Sequence, residues 1–186
     1  MTLGSYTPRM RTTTVLVWMW IGLCPAVMLA ESAGGLQWTT PEGWKNQGAL
    51  PMRVATYAVA PSAGDKTGAE CAVFYFGSGQ GGSIDANLER WKGQFQGPGG
   101  KPAAAQIAKR TLRGLSMTTI DTSGEYSGMS GPMAGSSQVA PGYRLLGAIV
   151  EGPRGNVFVK FTGPAKTIAA NQQKFEQLLS SFQPAQ

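Results

Sequence analysis

The sequence predicts an α+β domain in which a mostly antiparallel sheet is flanked by two main helices. Three observations lead to this prediction. Several segments rich in β-branched and aromatic residues are separated by turns, a central segment has apolar residues at helical spacing, and a second such segment closes the chain. A chain of 186 residues can build one ordinary core, so we expect a single folded domain.

The first 30 residues are typical of a secretory signal peptide. Arg9 and Arg11 precede an apolar run over residues 15–30, which is shorter than the roughly 20 apolar residues of a membrane-spanning helix. We therefore expect residues 1–30 to be a signal peptide and residues 31–186 to form a domain exported to the periplasm or the cell exterior. Retention of the segment as an envelope anchor is the alternative.

The N-terminal half of the domain contains three predicted strands. Residues 34–47 form the first, which a Pro-Glu-Gly turn interrupts, and Trp38 and Trp44 are expected at the edge of the core. Residues 54–60 and 71–76 are rich in Val, Ala and aromatic side chains and are predicted as the next two strands.

The central helix is the most specific local prediction. Ser83 is a suitable N-cap, and apolar residues follow at i, i+4, i+7 and i+11, at Ile84, Leu88, Trp91 and Phe95. A polar stripe runs beside them: Asn87, Arg90 and Gln94. We expect this polar stripe either to bind a partner or to tie the helix to the sheet through hydrogen bonds.

The C-terminal half is predicted to contain four strands and one helix. The strands are expected over residues 106–112, 115–121, 143–151 and 156–161, the last two forming a hairpin. Residues 123–142 are mostly Gly, Ser, Pro and Met, which predicts a long mobile connection. A single helix that begins at Pro164 is expected to close the domain.

Three sequence segments carry a family resemblance. They are the Trp-Pro-Gly-Trp opening at Trp38, Pro41, Gly43 and Trp44, the central GGSIDANLERWKGQF, and the endings LLGAIVE and VFVKFTGP. In these the chain resembles a family of uncharacterised exported bacterial proteins, and its layout is more loosely similar to the PsbP-like superfamily of α/β/α sandwiches. The resemblance implies a PsbP-like sandwich and a protein that binds or stabilises partners rather than one that catalyses a reaction.

The composition disfavours most catalytic and nucleic-acid functions. The chain has no histidine, so it lacks the usual general base and the commonest metal ligand, and we expect neither enzymatic activity nor a cofactor. Without the two arginines of the signal peptide, the net charge falls from +6 to near +4, which predicts no nucleic-acid binding but allows peripheral membrane contact. Cys71 is the single cysteine of the predicted domain and is expected to be a buried thiol.

The glycine-rich loop before the central helix has two interpretations. Gly77, Gly79 and Gly82 match G-x-G-x-x-G, but no acidic residue lies about 20 residues further on, which disfavours a dinucleotide site. The backbone amides of Gly81, Gly82 and Ser83 could instead hold a carboxylate or phosphate at the helix N-terminus. Loop geometry and helix capping are the alternative use of these residues.

The predicted mobile connection contains Met129 and Met133, whose thioethers are soft ligands suited to Cu(I). Gap-filling over the core is the alternative role of these methionines. Taken together, the sequence indicates a non-catalytic binding or accessory module of the bacterial envelope, with an envelope protein as its partner. The alternative is a small-ligand or soft-metal carrier that uses the glycine-rich or the methionine-containing loop.

Overall fold

The computed structural model describes residue 1 and residues 30–62, 64–128 and 139–185 of the chain. These residues form an α+β fold dominated by antiparallel strands, as the sequence predicts. In chain order the elements are β1 Ala30–Ala33, β2 Leu36–Thr39, β3 Lys45–Asn46, β4 Ala55–Val59, β5 Ala69–Tyr75, α1 Ile84–Lys92, β6 Phe95–Gln96, a 3-10 turn at Pro98–Gly100, β7 Ala105–Leu112, β8 Leu115–Ser127, β9 Val139–Gly152, β10 Gly155–Pro164, α2 Ala165–Ala170, α3 Gln172–Ser181 and β11 Gln183–Pro184.

The main sheet is open and antiparallel. Its strand order is β3-β4-β5-β10-β9-β8-β6, and β7 also pairs with β8. Strands β1, β2 and β11 form a separate three-stranded sheet. The hairpin of β9 and β10 lies at the centre of the main sheet, so both of its faces are available for packing.

Alternation along β10 gives the main sheet two apolar faces. Val157, Val159 and Phe161 belong to the larger core cluster, which includes side chains from α2, α3 and β2. Phe158 belongs to a second cluster, which includes Leu88 and other α1 side chains. Because successive strand residues point to opposite faces, the two clusters lie on opposite faces of the sheet.

Helix α1 begins where the sequence predicts and ends earlier. The hydroxyl of Ser83 accepts a hydrogen bond from the backbone N–H of Ala86 at 3.2 Å, which satisfies a free amide of the first turn. Gly93, a poor helix former, terminates the helix. Phe95 therefore lies in β6 rather than on the predicted helical stripe, although it still packs in the same cluster as Trp91.

The predicted single C-terminal helix is wrong, because the segment is divided into α2 and α3 at Asn171. The side-chain amide of Asn171 donates to the carbonyl of Thr167 at 2.9 Å, and its oxygen accepts from the indole N–H of Trp44 at 3.3 Å. An asparagine that bonds to the backbone competes with the helical hydrogen bonds, which accounts for the break.

The prediction of a mobile connection over residues 123–142 is wrong at both ends, which lie in strands, and residues 129–138 lie outside the described residues. Strand β8 continues to Ser127, β9 begins at Val139, and Tyr126 pairs with Ala140. A side chain at Gly124 would lie 2.2 Å from the carbonyl oxygen of Gln96, so glycine there allows β6 to approach β8. The glycine thus serves strand pairing rather than a loop.

The prediction that Trp38 and Trp44 lie at the core edge is also wrong, because both are inside the core, with 1% and 6% of their surface exposed. The indole N–H of Trp38 donates to the hydroxyl of Tyr57 at 2.7 Å, and that hydroxyl donates to Glu31 of β1 at 2.6 Å. Burial and the bond to Glu31 raise the pKa of Tyr57. The structure divides the first predicted strand into β2 and β3, and a further strand, β1, precedes them.

Cys71 is fully buried in the larger core cluster, which confirms the predicted buried thiol. Burial raises the pKa of this thiol well above its ordinary value, and the nearby Glu70 carboxylate acts in the same direction. The thiol is therefore protonated at neutral pH and behaves as a small apolar side chain.

Candidate functional site

Helix α1 covers only part of the sheet face on which it packs, and a cleft of about 730 Å³ lies on the uncovered part. We call it the α1 cleft. Its walls are α1, the glycine-rich loop and the turn before β4, and its floor is formed by β5 and β10. Its lining residues are Pro51, Met52, Arg53, Glu70, Ala72, Phe74, Phe76, Gly81, Gly82, Asn87, Arg90, Trp91, Gln94, Tyr126, Phe158, Lys160 and Thr162.

The floor of the α1 cleft changes in polarity along the strands. Strands β5 and β10 are antiparallel neighbours, so their cleft-facing residues form three successive cross-strand pairs: Phe74 with Phe158, Ala72 with Lys160, and Glu70 with Thr162. Pairs on one face follow each other at about 7 Å, twice the rise per strand residue. The floor is therefore aromatic at one end, cationic in the middle and polar at the other end.

Three cations face the α1 cleft from three different elements: Arg53 from the turn before β4, Arg90 from α1 and Lys160 from β10. Among the described residues that line the cleft, Glu70 is the one carboxylate, and it forms an ion pair with Arg53 at 2.7 Å. The charges of Arg90 and Lys160 are left without a carboxylate partner in this lining. The cleft consequently carries an excess of positive charge.

Lys160 is the best-defined of these cations. Its ammonium group donates to the side-chain oxygen of Gln94 at 2.6 Å and lies 3.4 Å from the hydroxyl of Tyr126. The pKa of Lys160 is lowered from 10.5 to about 8, mainly by burial and also by the charges of Arg53 and Arg90, while Glu70 opposes the shift. At neutral pH the group is mostly protonated in an environment that disfavours its charge, so a bound anion would relieve this penalty.

The structure brings the predicted polar stripe, Asn87, Arg90 and Gln94, to the wall of the α1 cleft. Asn87 is buried, its amide donates to the carbonyls of Gly81 and Ser83 at 2.8 Å, and its oxygen accepts from Arg90. Gln94 follows the end of α1 and bonds to the floor of the cleft. Asn87 and Gln94 thus tie the helix to its surroundings, whereas Arg90 remains exposed to solvent. Partner binding by this stripe stays a prediction.

The glycine-rich loop packs on the aromatic end of the α1 cleft. A side chain at Gly81, which has φ +91°, would lie 2.8 Å from the rings of Phe158 and Phe76. Gly81 therefore allows a close approach of the backbone to the rings, and Ser83 caps α1. Anion binding by the amides of Gly81, Gly82 and Ser83 stays a prediction. The predicted soft-metal ligands, Met129 and Met133, lie outside the described residues.

A second cavity of about 790 Å³ adjoins the polar end of the α1 cleft and shares Glu70, Tyr126 and Thr162 with it. We call it the distal groove. The hydroxyls of Thr56 and Thr162, which line it, have no hydrogen-bond partner among the described residues. Donors and acceptors are thus available where the two cavities meet.

Sequence reasoning did not identify Arg53 or Lys160 as site residues. One signal for Lys160 was present, because the run VFVKFTG places a lysine in a strand that is otherwise apolar at its centre. Such a charge on a central strand is costly unless the strand face is open to a ligand or to water. Arg53 follows a short turn and gave no comparable signal.

Two solved structures are among those that are similar to this chain. One is a protein of unknown function, PA94 from Pseudomonas aeruginosa, at 12% identity and a TM-score of 0.46, covering 86% of this chain and 98% of that chain. The other is the cyanobacterial PsbP (CyanoP) of Synechocystis, at 13% identity and a TM-score of 0.47, covering 88% and 98%. No family model and no curated protein matches the chain.

Over residues 30–62, 64–128 and 139–185, no helix is long and apolar enough to cross a membrane. The same residues contain no group of three or more Cys, Asp and Glu side chains placed to hold a metal ion.

Proposed function

We propose that this protein is an exported, non-catalytic binding module of the bacterial envelope, a PsbP-like sandwich that takes up an anionic ligand in the α1 cleft. One observation carries the proposal: the partly buried Lys160 and the exposed Arg90 face one cleft, and among the described residues that line it the one carboxylate is already paired with Arg53. Charged groups held partly away from water favour a ligand of opposite charge. The volume of about 730 Å³ is in the range of small-molecule sites.

Binding is a better use of these residues than catalysis. A general acid or base must be placed within hydrogen-bond reach of a reacting group, and the chain has no histidine to fill that role. The Glu70 carboxylate is held by Arg53 at 2.7 Å, and the ammonium group of Lys160 is held by Gln94 at 2.6 Å. Among the described residues that line the cleft, the arrangement presents donors to an anion, and its one carboxylate is held in an ion pair.

The proposal is tested with 8-anilinonaphthalene-1-sulfonate, a fluorescent anion with an apolar body. We expect saturable binding of one molecule per chain, followed by fluorescence titration at pH 7. Arg90→Gln removes a cleft cation at an exposed position and should weaken binding about tenfold, which corresponds to the loss of one charge-assisted contact. Arg113→Gln makes the same chemical change at an exposed position away from the cleft and should leave binding unchanged.

Urea denaturation of each variant separates loss of binding from loss of folding. The proposal would be wrong if the folded Arg90→Gln and Arg113→Gln variants both bound the probe as tightly as the unchanged protein. It would also be wrong if the unchanged protein bound no probe.

A second function, docking of an envelope protein, is favoured by the turn before β4. Leu50 and Met52 are exposed there by 45% and 74%, and Met52 lies at the rim of the α1 cleft. Exposed apolar side chains beside a cleft are typical of protein contact sites. A photoreactive residue at position 52 should then give one recurrent crosslink in cells, and the same residue at the exposed position 107 should not. Equal crosslinking at both positions would contradict this function.

A further inference from the structure

The aromatic end of the α1 cleft forms a continuous wall. The ring centroids of Phe74 and Phe76 are 6.1 Å apart, and those of Phe76 and Phe158 are 5.6 Å apart. Phe158 is buried, whereas Phe74 and Phe76 are only partly buried and turn apolar surface towards the cleft. Burying that surface against an apolar group is favourable, so this end of the cleft suits a hydrocarbon.

The backbone of Gly81 completes this apolar end, whereas the indole of Trp91 lies over Gly147, which pairs with Lys160. Gly81 lies so close to the rings of Phe158 and Phe76 that even a methyl group would collide with them. Trp91 packs in the same cluster as Phe158. The hydrocarbon end of the cleft is therefore lined by aromatic rings and by backbone. The guanidinium of Arg53 lies 5.7 Å from the centroid of the Phe74 ring, whereas Lys160 lies further along the floor, opposite Ala72.

The distance from Lys160 to the end of the aromatic wall follows from strand geometry. Lys160 pairs with Ala72, and Phe76 lies four residues further along the chain from Ala72. At about 3.3 Å per residue, this separation is about 13 Å. An extended alkyl chain with C–C bonds of about 1.5 Å covers it with about ten carbon atoms.

We propose that the ligand of the α1 cleft is a single-chain amphiphile, with an anionic head between Lys160 and Arg90 and an alkyl chain on the wall of Phe74, Phe76 and Phe158. The proposal rests on the proposed function and adds the ligand class to it. The head is a carboxylate or a phosphate, as in a free fatty acid or a single-chain phospholipid. The small Ala72 beside Lys160 leaves room for the first carbons of the chain.

The first experiment measures binding against chain length by isothermal titration calorimetry. Butanoate, octanoate, decanoate and tetradecanoate are titrated into the protein at pH 7, each below its micelle concentration. Because each buried methylene contributes about 0.8 kcal/mol, affinity should rise by about two- to fourfold per methylene up to about ten carbons and then level off. Decan-1-ol and decyltrimethylammonium should bind at least about tenfold more weakly than decanoate, because they lack the negative charge.

Two variants separate the head contact from the chain contact. Arg90→Gln should weaken all the acids by a similar factor and keep the dependence on chain length. Phe76→Gln should flatten that dependence and leave butanoate unaffected. Arg113→Gln and Ile107→Gln, at exposed positions outside the cleft, are the matched controls and should change neither quantity. Urea denaturation shows that each variant is folded.

The results discriminate between this proposal and the proposed function. If butanoate and decanoate bind equally well and Arg90→Gln weakens both, the cleft binds anions but no alkyl chain, and this proposal fails alone. If none of the acids binds but the sulfonate probe does, this proposal again fails alone. If decan-1-ol binds as well as decanoate and Arg90→Gln has no effect, both proposals fail.

Two additional experiments identify the source of the anionic head: a comparison of two head groups by titration, and a vesicle sedimentation assay. Tighter binding of decanoate than of decyl phosphate supports a free fatty acid as the ligand, and the reverse order supports a single-chain phospholipid. Sedimentation with phosphatidylglycerol vesicles tests binding to a bilayer surface. Binding to vesicles without binding of any monomeric amphiphile would overturn the proposal, because the cleft would then take up no single chain.

Discussion

Replacement of Lys160 by methionine should make the protein more stable at neutral pH. Burial lowers the pKa of this lysine from 10.5 to about 8, which corresponds to about 3 kcal/mol of unfavourable free energy while the group is charged. Water reaches part of the side chain, and methionine leaves Gln94 without its 2.6 Å bond to the ammonium group. We therefore expect Lys160→Met to raise the free energy of unfolding at pH 7 by about 1 to 2 kcal/mol.

The lowered pKa of Lys160 also determines how the free energy of unfolding changes with pH. Below pH 8 the lysine is protonated in both the folded and the unfolded chain, so the penalty is fully present. Between pH 8 and 10.5 the folded chain loses the proton while the unfolded chain keeps it, so the unchanged protein gains stability as the pH rises. The advantage of Lys160→Met should therefore shrink across this window.

Urea denaturation at pH 7 and at pH 10 measures both effects. Lys109→Met changes an exposed lysine of β7 in the same way and should alter the free energy of unfolding by less than about 0.5 kcal/mol at both pH values. A Lys160→Met variant that is less stable than the unchanged protein at pH 7, with no change between the two pH values, would refute this reasoning.

Three further predictions concern the core and the loop beside the cleft. Trp91→Ala should lower the free energy of unfolding by about 3 kcal/mol or more, measured by urea denaturation, because Trp91 is 4% exposed and fills the space above Gly147. Gly81→Ala should lower it by about 1 to 3 kcal/mol, because φ is +91° and the methyl group would collide with Phe158; an unchanged midpoint would contradict this. Cys71 should react with iodoacetamide at neutral pH only in denaturant, because the thiol is fully buried and its pKa is raised; rapid labelling of the folded protein would contradict it.

Local periodicity was enough to predict the strand-rich α+β fold. The start of α1 followed from Ser83 and the apolar spacing after it, and most strands followed from runs of β-branched and aromatic residues. The errors arose where a distant contact decides the outcome. Asn171 breaks the last helix while bonding to Trp44, which lies 127 residues earlier, and Gly124 serves a strand because Gln96 approaches it.

The candidate site was only partly predictable for the same reason. Asn87 and Arg90 stand at helical spacing, so the sequence alone placed them on one side of α1, whereas Gln94 follows the end of the helix. Arg53 and Lys160 belong to elements that are distant in sequence, and the pairing of β5 with β10 is what brings Lys160 opposite Ala72. Because the sequence does not show this strand register, it does not reveal that Arg53, Arg90 and Lys160 face one cleft.

The most direct test of anion binding in the α1 cleft is an NMR titration of the Lys160 ammonium group. Its pKa is followed through the carbon and nitrogen resonances at the end of the side chain, with and without saturating 8-anilinonaphthalene-1-sulfonate. The pKa of Lys160 should be about 8 in the free protein and higher in the complex, because a bound anion favours the protonated amine. A pKa near 10.5 in the free protein, or one that the anion leaves unchanged, would contradict it.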